Sequence, residues 1–254
     1  YDPAKTKANF VMATSSTSAN AIMASGTNKV YGSIHTGLGG AVNFGTNLFS
    51  AGDAAWVNGN QPGMQTGHSF DDMTMMFPDV SPPAGTGIVP SGNHIGGTNY
   101  DLALTNNNTL YVSSSQLIWA GNKIVLVSGA NVTWWLKKGM AVSGNFAILI
   151  APGASLKLYV GNTTGSAVTW TLSGKGVVND GPPSAFQYYG LPTNTGFTYS
   201  GSHSFNGLFY APQAAFTMSG GRDYYGAFVA KSINRSDGFS LHYDEAVANL
   251  QPAF

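Results

Sequence analysis

Apolar positions in this sequence fall in short runs that alternate with polar ones or stand as tight blocks, and each run stops at Gly, Asn or Ser. Through the middle of the chain this pattern predicts a ladder of strands over 109–112, 116–119, 123–127, 132–136, 146–150, 156–160 and 168–172. The connections Ala120-Gly121-Asn122, Ser128-Gly129-Ala130-Asn131, Ser143-Gly144-Asn145 and Ala151-Pro152-Gly153 carry residues that take up turns readily. Helical spacing is rare. Residues 10–12 with 19–23 could form one short helix, and 244–250, with Ala246, Val247 and Leu250 in phase before Gln251-Pro252, is the better candidate. Residues 53–105, rich in Pro, Gly and Asp, read as a long loop, and 180–183 as a second one.

Three stretches repeat one another. Gly207-Leu208-Phe209-Tyr210-Ala211-Pro212 closes on Ser219-Gly220, Gly226-Ala227-Phe228-Val229-Ala230-Lys231 follows, and Gly32-Ser33-Ile34-His35-Thr36 closes on Gly45. The first two start 19 residues apart (226 − 207). A period near that length, in short strands broken by turn residues, is the signature of a solenoid. The expected fold is therefore all-β, a right-handed parallel β-helix with flanking loops and a short C-terminal helix. Residues 1–27 would be an N-terminal cap or intersubunit segment. Residues 28–254 would be a single domain, with a loop insertion around 53–105.

Composition narrows the partners. Charged residues make up 9% of the chain, with 11 basic against 11 acidic, so no field is available to steer nucleic acid. The absence of cysteine excludes disulfides and thiolate metal sites. No apolar run is long enough to span a bilayer, and Tyr1-Asp2-Pro3-Ala4-Lys5 lacks the basic-then-apolar order of a leader. Abundant Thr, Asn, Gly and Tyr with little Lys or Glu points to a secreted or surface-displayed β-protein.

The C-terminal phrases also resemble a family. The succession from Tyr210-Ala211-Pro212 through Ser219-Gly220 and Tyr225-Gly226-Ala227-Phe228-Val229-Ala230-Lys231-Ser232 to His242-Tyr243-Asp244-Glu245-Ala246 is similar to a C-terminal domain of uncharacterised bacterial surface and pilus-assembly-associated proteins. Phe77-Pro78-Asp79-Val80-Ser81-Pro82-Pro83 and Ala151-Pro152-Gly153-Ala154-Ser155-Leu156 share the likeness, and Asn234-Arg235-Ser236-Asp237 departs from it. The resemblance implies a right-handed parallel β-helix on the cell exterior and no catalytic residues. Gly207, Ala211, Pro212, Gly226, His242, Tyr243, Asp244 and Glu245 are then motif residues of the scaffold.

Candidate chemistry is sparse. Asp71-Asp72 is an adjacent aspartate pair, and glycoside hydrolysis needs two carboxyl groups about 5–9.5 Å apart, but the other strings of polygalacturonases are missing and a loop-capping role is the plainer reading. Trp119, Trp134 and Trp135, the last two followed by Lys137-Lys138, could present an aromatic strip to a sugar. His35, His68, His94, His203 and His242 show no metal-ligand spacing. A neighbouring carboxylate could orient His242, with a structural network locking the chain end as the simpler alternative. Arg222-Asp223 reads as a local ion pair, and Met73 and Met75 as one face of a strand over a core. The expectation is a non-enzymatic structural or adhesive protein without cofactor or metal. It would belong to a surface appendage or filament, with itself or other surface proteins as partners. The alternative is a carbohydrate-active module, binding glycans through tryptophan or hydrolysing them weakly through Asp71 and Asp72.

Overall fold

The computed structural model describes residues 7–24, 28–44, 49–220, 222–235 and 240–250. Gly45, Ser236, Asp237, Pro252 and residues 1–5, which enter the sequence expectations, lie outside that set. The chain divides into two compact units, Tyr1–Met76 and Phe77–Phe254. The division falls well beyond residue 27, where the sequence suggests the end of a cap. Strand dominates, 48% against 5% helix. No helix among the described residues is long and apolar enough to cross a membrane.

In the Phe77–Phe254 unit the predicted strands form and pair in parallel. Leu110–Ser113, Val132–Leu136, Leu156–Val160 and Phe186–Gly190 make one ladder, and Leu117–Trp119, Met140–Val142, Val168–Leu172 and Asn194–Tyr199 make another. Both end on the same long strand, Phe205–Met218, whose first half pairs with Phe186–Gly190 and whose second half pairs with Asn194–Tyr199. The two ladders are thereby one sheet. Nine strands on this path bend through 268° round an axis and nearly close a parallel barrel. This corrects the expected fold, an open right-handed β-helix solenoid. The sequence shows parallel strands at a regular offset, but not that a 14-residue strand joins the ladders. Pro212 sits inside that strand, where the register shifts between Ala211 and Ala215. A bulge is where a strand tolerates proline.

The 19-residue offset is a register. Gly207 lies opposite Gly226 and Ala211 opposite Ala230, as Tyr224–Arg235 pairs with Phe205–Met218. Glycine is required at Gly226, where φ is +126° and a Cβ would meet the Gly207 carbonyl. A further sheet of Thr98–Leu104, Ile124–Val127, Ala147–Ile150 and Gly176–Asn179 is also parallel, and Ser91–Ile95 joins it as an antiparallel hairpin. That hairpin turns on Gly96-Gly97, both at positive φ, a two-residue connection the loop reading of 53–105 overlooks. The same region holds the short helix Ala54–Asn58, capped by the Asp53 carboxylate, which accepts from the Trp56 amide at 2.8 Å. Phe77 to Val80 docks against the sheet, where the Tyr210 hydroxyl donates to the Pro78 carbonyl at 2.8 Å and Val80 is buried.

Aromatic rings fill the interior. Because paired strands stay in register, Tyr188 stacks on Phe209 at 4.6 Å, Phe209 on Phe216 at 4.3 Å, and Phe197 lies 4.8 Å from Tyr188. Buried polar groups are bonded accordingly. Asn194, fully buried, accepts from the Tyr188 hydroxyl at 3.0 Å and donates to the Val168 and Gly196 carbonyls. Burial raises the phenols of Tyr188, Tyr189 and Tyr199 well above the ordinary value.

The Tyr1–Met76 unit is built on Lys29–His35, a strand whose inward residues Val30 and Ile34 meet Phe49 and Ala51. Phe10–Ala13 pairs with it in parallel, so the helix expected over 10–12 and 19–23 is not formed. Residues 10–13 and 22–23 are strand instead, because alternation at period two serves a sheet that already has an edge to extend. Asp244 to Leu250 does turn helically, as the 3-10 segment Glu245–Asn249 with the Asp244 carboxylate accepting from the Ala246 amide.

Two outcomes follow for stability. Gly226→Ala forces a side chain into the Gly207 carbonyl and should cost about 2–5 kcal/mol, read as a lowered urea midpoint. The buried tyrosines have folded-state values above the unfolded value of 10.0, so their contribution is complete below pH 10 and lost as pH rises through the raised values. Urea midpoints should fall above pH 10 in step with tyrosinate absorbance. A midpoint flat across that range would contradict the burial.

Candidate functional site

The tryptophan strip does not exist as a surface. Trp134 is fully buried and donates from Nε1 to the Ser113 hydroxyl at 3.1 Å. Trp135 is 9% exposed, donates to the Gly161 carbonyl at 2.8 Å and is covered by the Lys137 ammonium, 4.4 Å from its ring centre. Trp119 packs on Phe146 with ring centres 5.8 Å apart. All three serve the barrel. The alternation that places one of two adjacent tryptophans outward holds, but the outward face of that strand is itself covered by a second apolar cluster around Tyr159, Tyr189 and Val80.

The aspartate pair fares differently. Asp71 and Asp72 are both exposed and follow the strand Ser69–Phe70, which pairs with the C-terminal half of Lys29–His35. Thr36 holds this turn from both sides. Its amide donates to the Phe70 carbonyl and its carbonyl accepts from the Met73 amide, each at 2.9 Å, so the two aspartates are pinned between two backbone bonds. Asp71 Oδ2 accepts from the Gly39 amide at 3.3 Å, a loop-capping bond of the kind the sequence suggests. Asp72 does something else. Its Oδ1 lies 2.6 Å from His35 Nδ1.

His35 is the centre of this face. Period two along Lys29–His35 turns Tyr31, Ser33 and His35 away from the core. The imidazole stacks on Phe70 with ring centres 4.7 Å apart and planes 20° from parallel. Its Nε2 lies 3.1 Å from Ser33 Oγ. A neutral imidazole that donates from Nδ1 to the Asp72 carboxylate leaves Nε2 to accept from the Ser33 hydroxyl. Ser33, His35 and Asp72 thus stand in line. Val11 flanks Ser33 in register and Phe70 flanks His35, both well exposed. The sequence names Asp72 and His35 separately and shows Ser33 only as part of a repeated stretch. The signal was the Ser-x-His spacing on one strand. The carboxylate that completes it lies 37 residues from His35, across a parallel pairing that no local pattern reveals.

The remaining histidines stand apart. His68 Nδ1 lies 3.0 Å from the Gly32 carbonyl, His94 Nδ1 2.7 Å from Asn99 Oδ1, and His203 Nε2 3.6 Å from Asp180. Among the described residues no three His, Asp or Glu side chains gather as metal ligands. His242 stacks on Tyr225 at 4.7 Å and its carboxylate neighbour is Asp223, at 3.6 Å, rather than the adjacent Asp244 or Glu245. Asp223 also accepts from the Ser240 amide and the Tyr225 hydroxyl, so it ties the strand Leu241–Tyr243 to its neighbour Tyr224–Arg235. Tyr243 pairs opposite Gly226 on that strand. Met75 and Met76 are exposed, with no strand at that point to turn them inward.

Burial lowers the His242 imidazole below its ordinary value of 6.5, against the opposing pull of Asp223. The unfolded chain therefore binds this proton first, and the contribution present above pH 6.5 is lost as pH falls through the lowered folded value. His242→Gln should remove that part of the slope in urea midpoints below about pH 6.5. An unchanged slope would place the titration elsewhere.

A family model described as "Domain of unknown function (DUF7305)" matches residues 93–250, more than half of the chain, and the chain belongs to that family. The Ser33–His35–Asp72 face lies outside the matched residues, whereas the Gly207 to Glu245 motifs lie inside them. No curated protein and no solved structure matches the chain.

Proposed function

We propose that this member of the DUF7305 family is a carbohydrate-active module, working on the outside of the cell through the exposed face of its Tyr1–Met76 unit. The expected adhesive or filament-forming role depended on flat outer faces of an open solenoid, and the closing of the sheet through 268° overturns it. The tryptophan route to sugar binding falls with the burial of Trp134 and Trp135. What supports the carbohydrate reading is Phe70. Phe70 is 40% exposed, its ring lies against His35, and Asp71 and Asp72 follow it directly.

An aromatic face accepts the C–H side of a pyranose, and ionised carboxylates accept its hydroxyls in short, strong hydrogen bonds. The two acids do not form a glycosidase pair, since one is committed to the Gly39 amide and the other to His35. They orient a sugar rather than cleave its glycosidic bond. An extracellular setting rests on the sparse, balanced charge and the Thr-, Asn- and Tyr-rich composition.

The test is retention of the full chain on immobilised polysaccharides, neutral and O-acylated. Phe70→Ala should weaken retention about tenfold, the equivalent of one lost stacking contact. Trp135→Phe, at a covered site, should leave it unchanged. Absence of retention on any polysaccharide, or retention indifferent to Phe70→Ala, would sink the reading.

A further inference from the structure

We propose that Ser33, His35 and Asp72 form a charge-relay constellation that makes Ser33 a nucleophile toward acyl esters. The substrate class, O-acylated sugars, rests on the carbohydrate reading above, but the relay itself does not. Its geometry is that of a hydroxyl, an imidazole and a carboxylate in series. Ser33 Oγ stands 3.1 Å from Nε2 of His35, and Asp72 Oδ1 stands 2.6 Å from Nδ1. A triad is recognised by such geometry and roles, not by order along the chain.

Each member is held by something other than its partner. Ser33 and His35 share one face of the strand Lys29–His35, fixed on one side by Phe10–Ala13. Phe70 stacks on the imidazole and limits its rotation. Asp72 is placed by the two backbone bonds of Thr36. Ser33 is half-buried, with the exposed Val11 beside it in register, which leaves an ester an approach from solvent. Val11 is 57% exposed and offers an apolar patch for a short acyl chain, while Phe70 lies on the side where the sugar would rest.

In the first step Ser33 Oγ bonds to the acyl carbon as Nε2 takes its proton, and Asp72 holds the resulting imidazolium. The ester C–O bond then breaks, and the sugar hydroxyl leaves with the proton from Nε2. In the second step water gives a proton to Nε2 and bonds to the acyl carbon. The acyl–Oγ bond breaks, the carboxylic acid departs, and Ser33 regains its hydroxyl hydrogen. Water is the only co-reactant. Ser33 and His35 are catalytic residues in this scheme, and Asp72 is a positioning residue that fixes the tautomer.

The experiment treats the full chain with a fluorophosphonate probe, reads the adduct by intact mass and peptide mapping, and in parallel measures acetate released from an O-acetylated polysaccharide. One adduct on Ser33 is expected, absent in Ser33→Ala. His35→Gln and the exposed Asp72→Asn should slow both labelling and acetate release by roughly 10²–10⁴-fold, with circular dichroism unchanged. Asp72→Glu should recover part of the rate, and the downfield Nδ1 proton resonance should vanish in Asp72→Asn but not in Asp72→Glu. No adduct on Ser33, or labelling equal in wild type, His35→Gln and Asp72→Asn, would overturn the relay, even for a chain that binds polysaccharide. Labelling of Ser33 in a chain that no polysaccharide retains would uphold the relay and overturn the sugar assignment alone.

Discussion

Parallel pairing held in register is the constraint on which the larger unit depends. In a parallel ladder each side chain sits beside the residue one offset later, so a ring in one strand demands a ring-compatible neighbour in the next. Tyr188, Phe209 and Phe228 occupy successive positions of one such row, and Phe197 and Phe216 occupy another. The long strand Phe205–Met218 carries both rows, which brings Phe209 and Phe216 to 4.3 Å and seals the interior. A slip of one residue would turn those rings outward and bring polar neighbours in. The close approach of Gly207 and Gly226, and the Asn194 bonds to Tyr188, Val168 and Gly196, all presuppose that the register is kept.

The same rule lines up polar side chains in the smaller unit. Parallel pairing sets Val11 beside Ser33 and Phe70 beside His35, and period two turns all four side chains toward one face. The backbone of Thr36 then places Asp72 against the imidazole. A sheet face that is neither covered by a second apolar layer nor filled with charge can display such a line of polar groups. The outer face around Trp135 cannot, because Tyr159, Tyr189 and Val80 already occupy it. Where an outer face is packed, its distinctive residues serve stability, and on the smaller unit Val11 and Phe70 stay exposed beside the polar line.

This contrast also explains which candidates moved. Trp134 and Trp135 drew notice as large aromatics beside lysines, yet their indole N–H groups are spent on Ser113 and Gly161. Asp71 and Asp72 drew notice as a carboxylate pair, yet they act separately, one on a loop amide and one on a histidine. The carboxylate near His242 comes from Asp223, on the preceding stretch of chain, and not from the acids next to it in sequence. In each case the residue was visible and its partner was not.

Local pattern determined the strands from Leu110 to Leu172, the turn residues between them, the 19-residue offset of Gly207 and Gly226 and the helical turn after Asp244. It could do so because alternation and turn chemistry are properties of neighbouring residues. It suggests a helix over 10–12 with 19–23 where strands form, and a loop where the Gly96-Gly97 hairpin forms, since short apolar runs carry no period long enough to separate the alternatives. Only the tertiary structure decided that the ladders curve into a nearly closed barrel, for that depends on one strand joining two ladders into one sheet. Only the tertiary structure, too, brought Asp72 to His35 and left Ser33 at its other nitrogen. Contacts between distant segments are fixed by what each sheet must bury, and the sequence states those demands without stating which segment meets them.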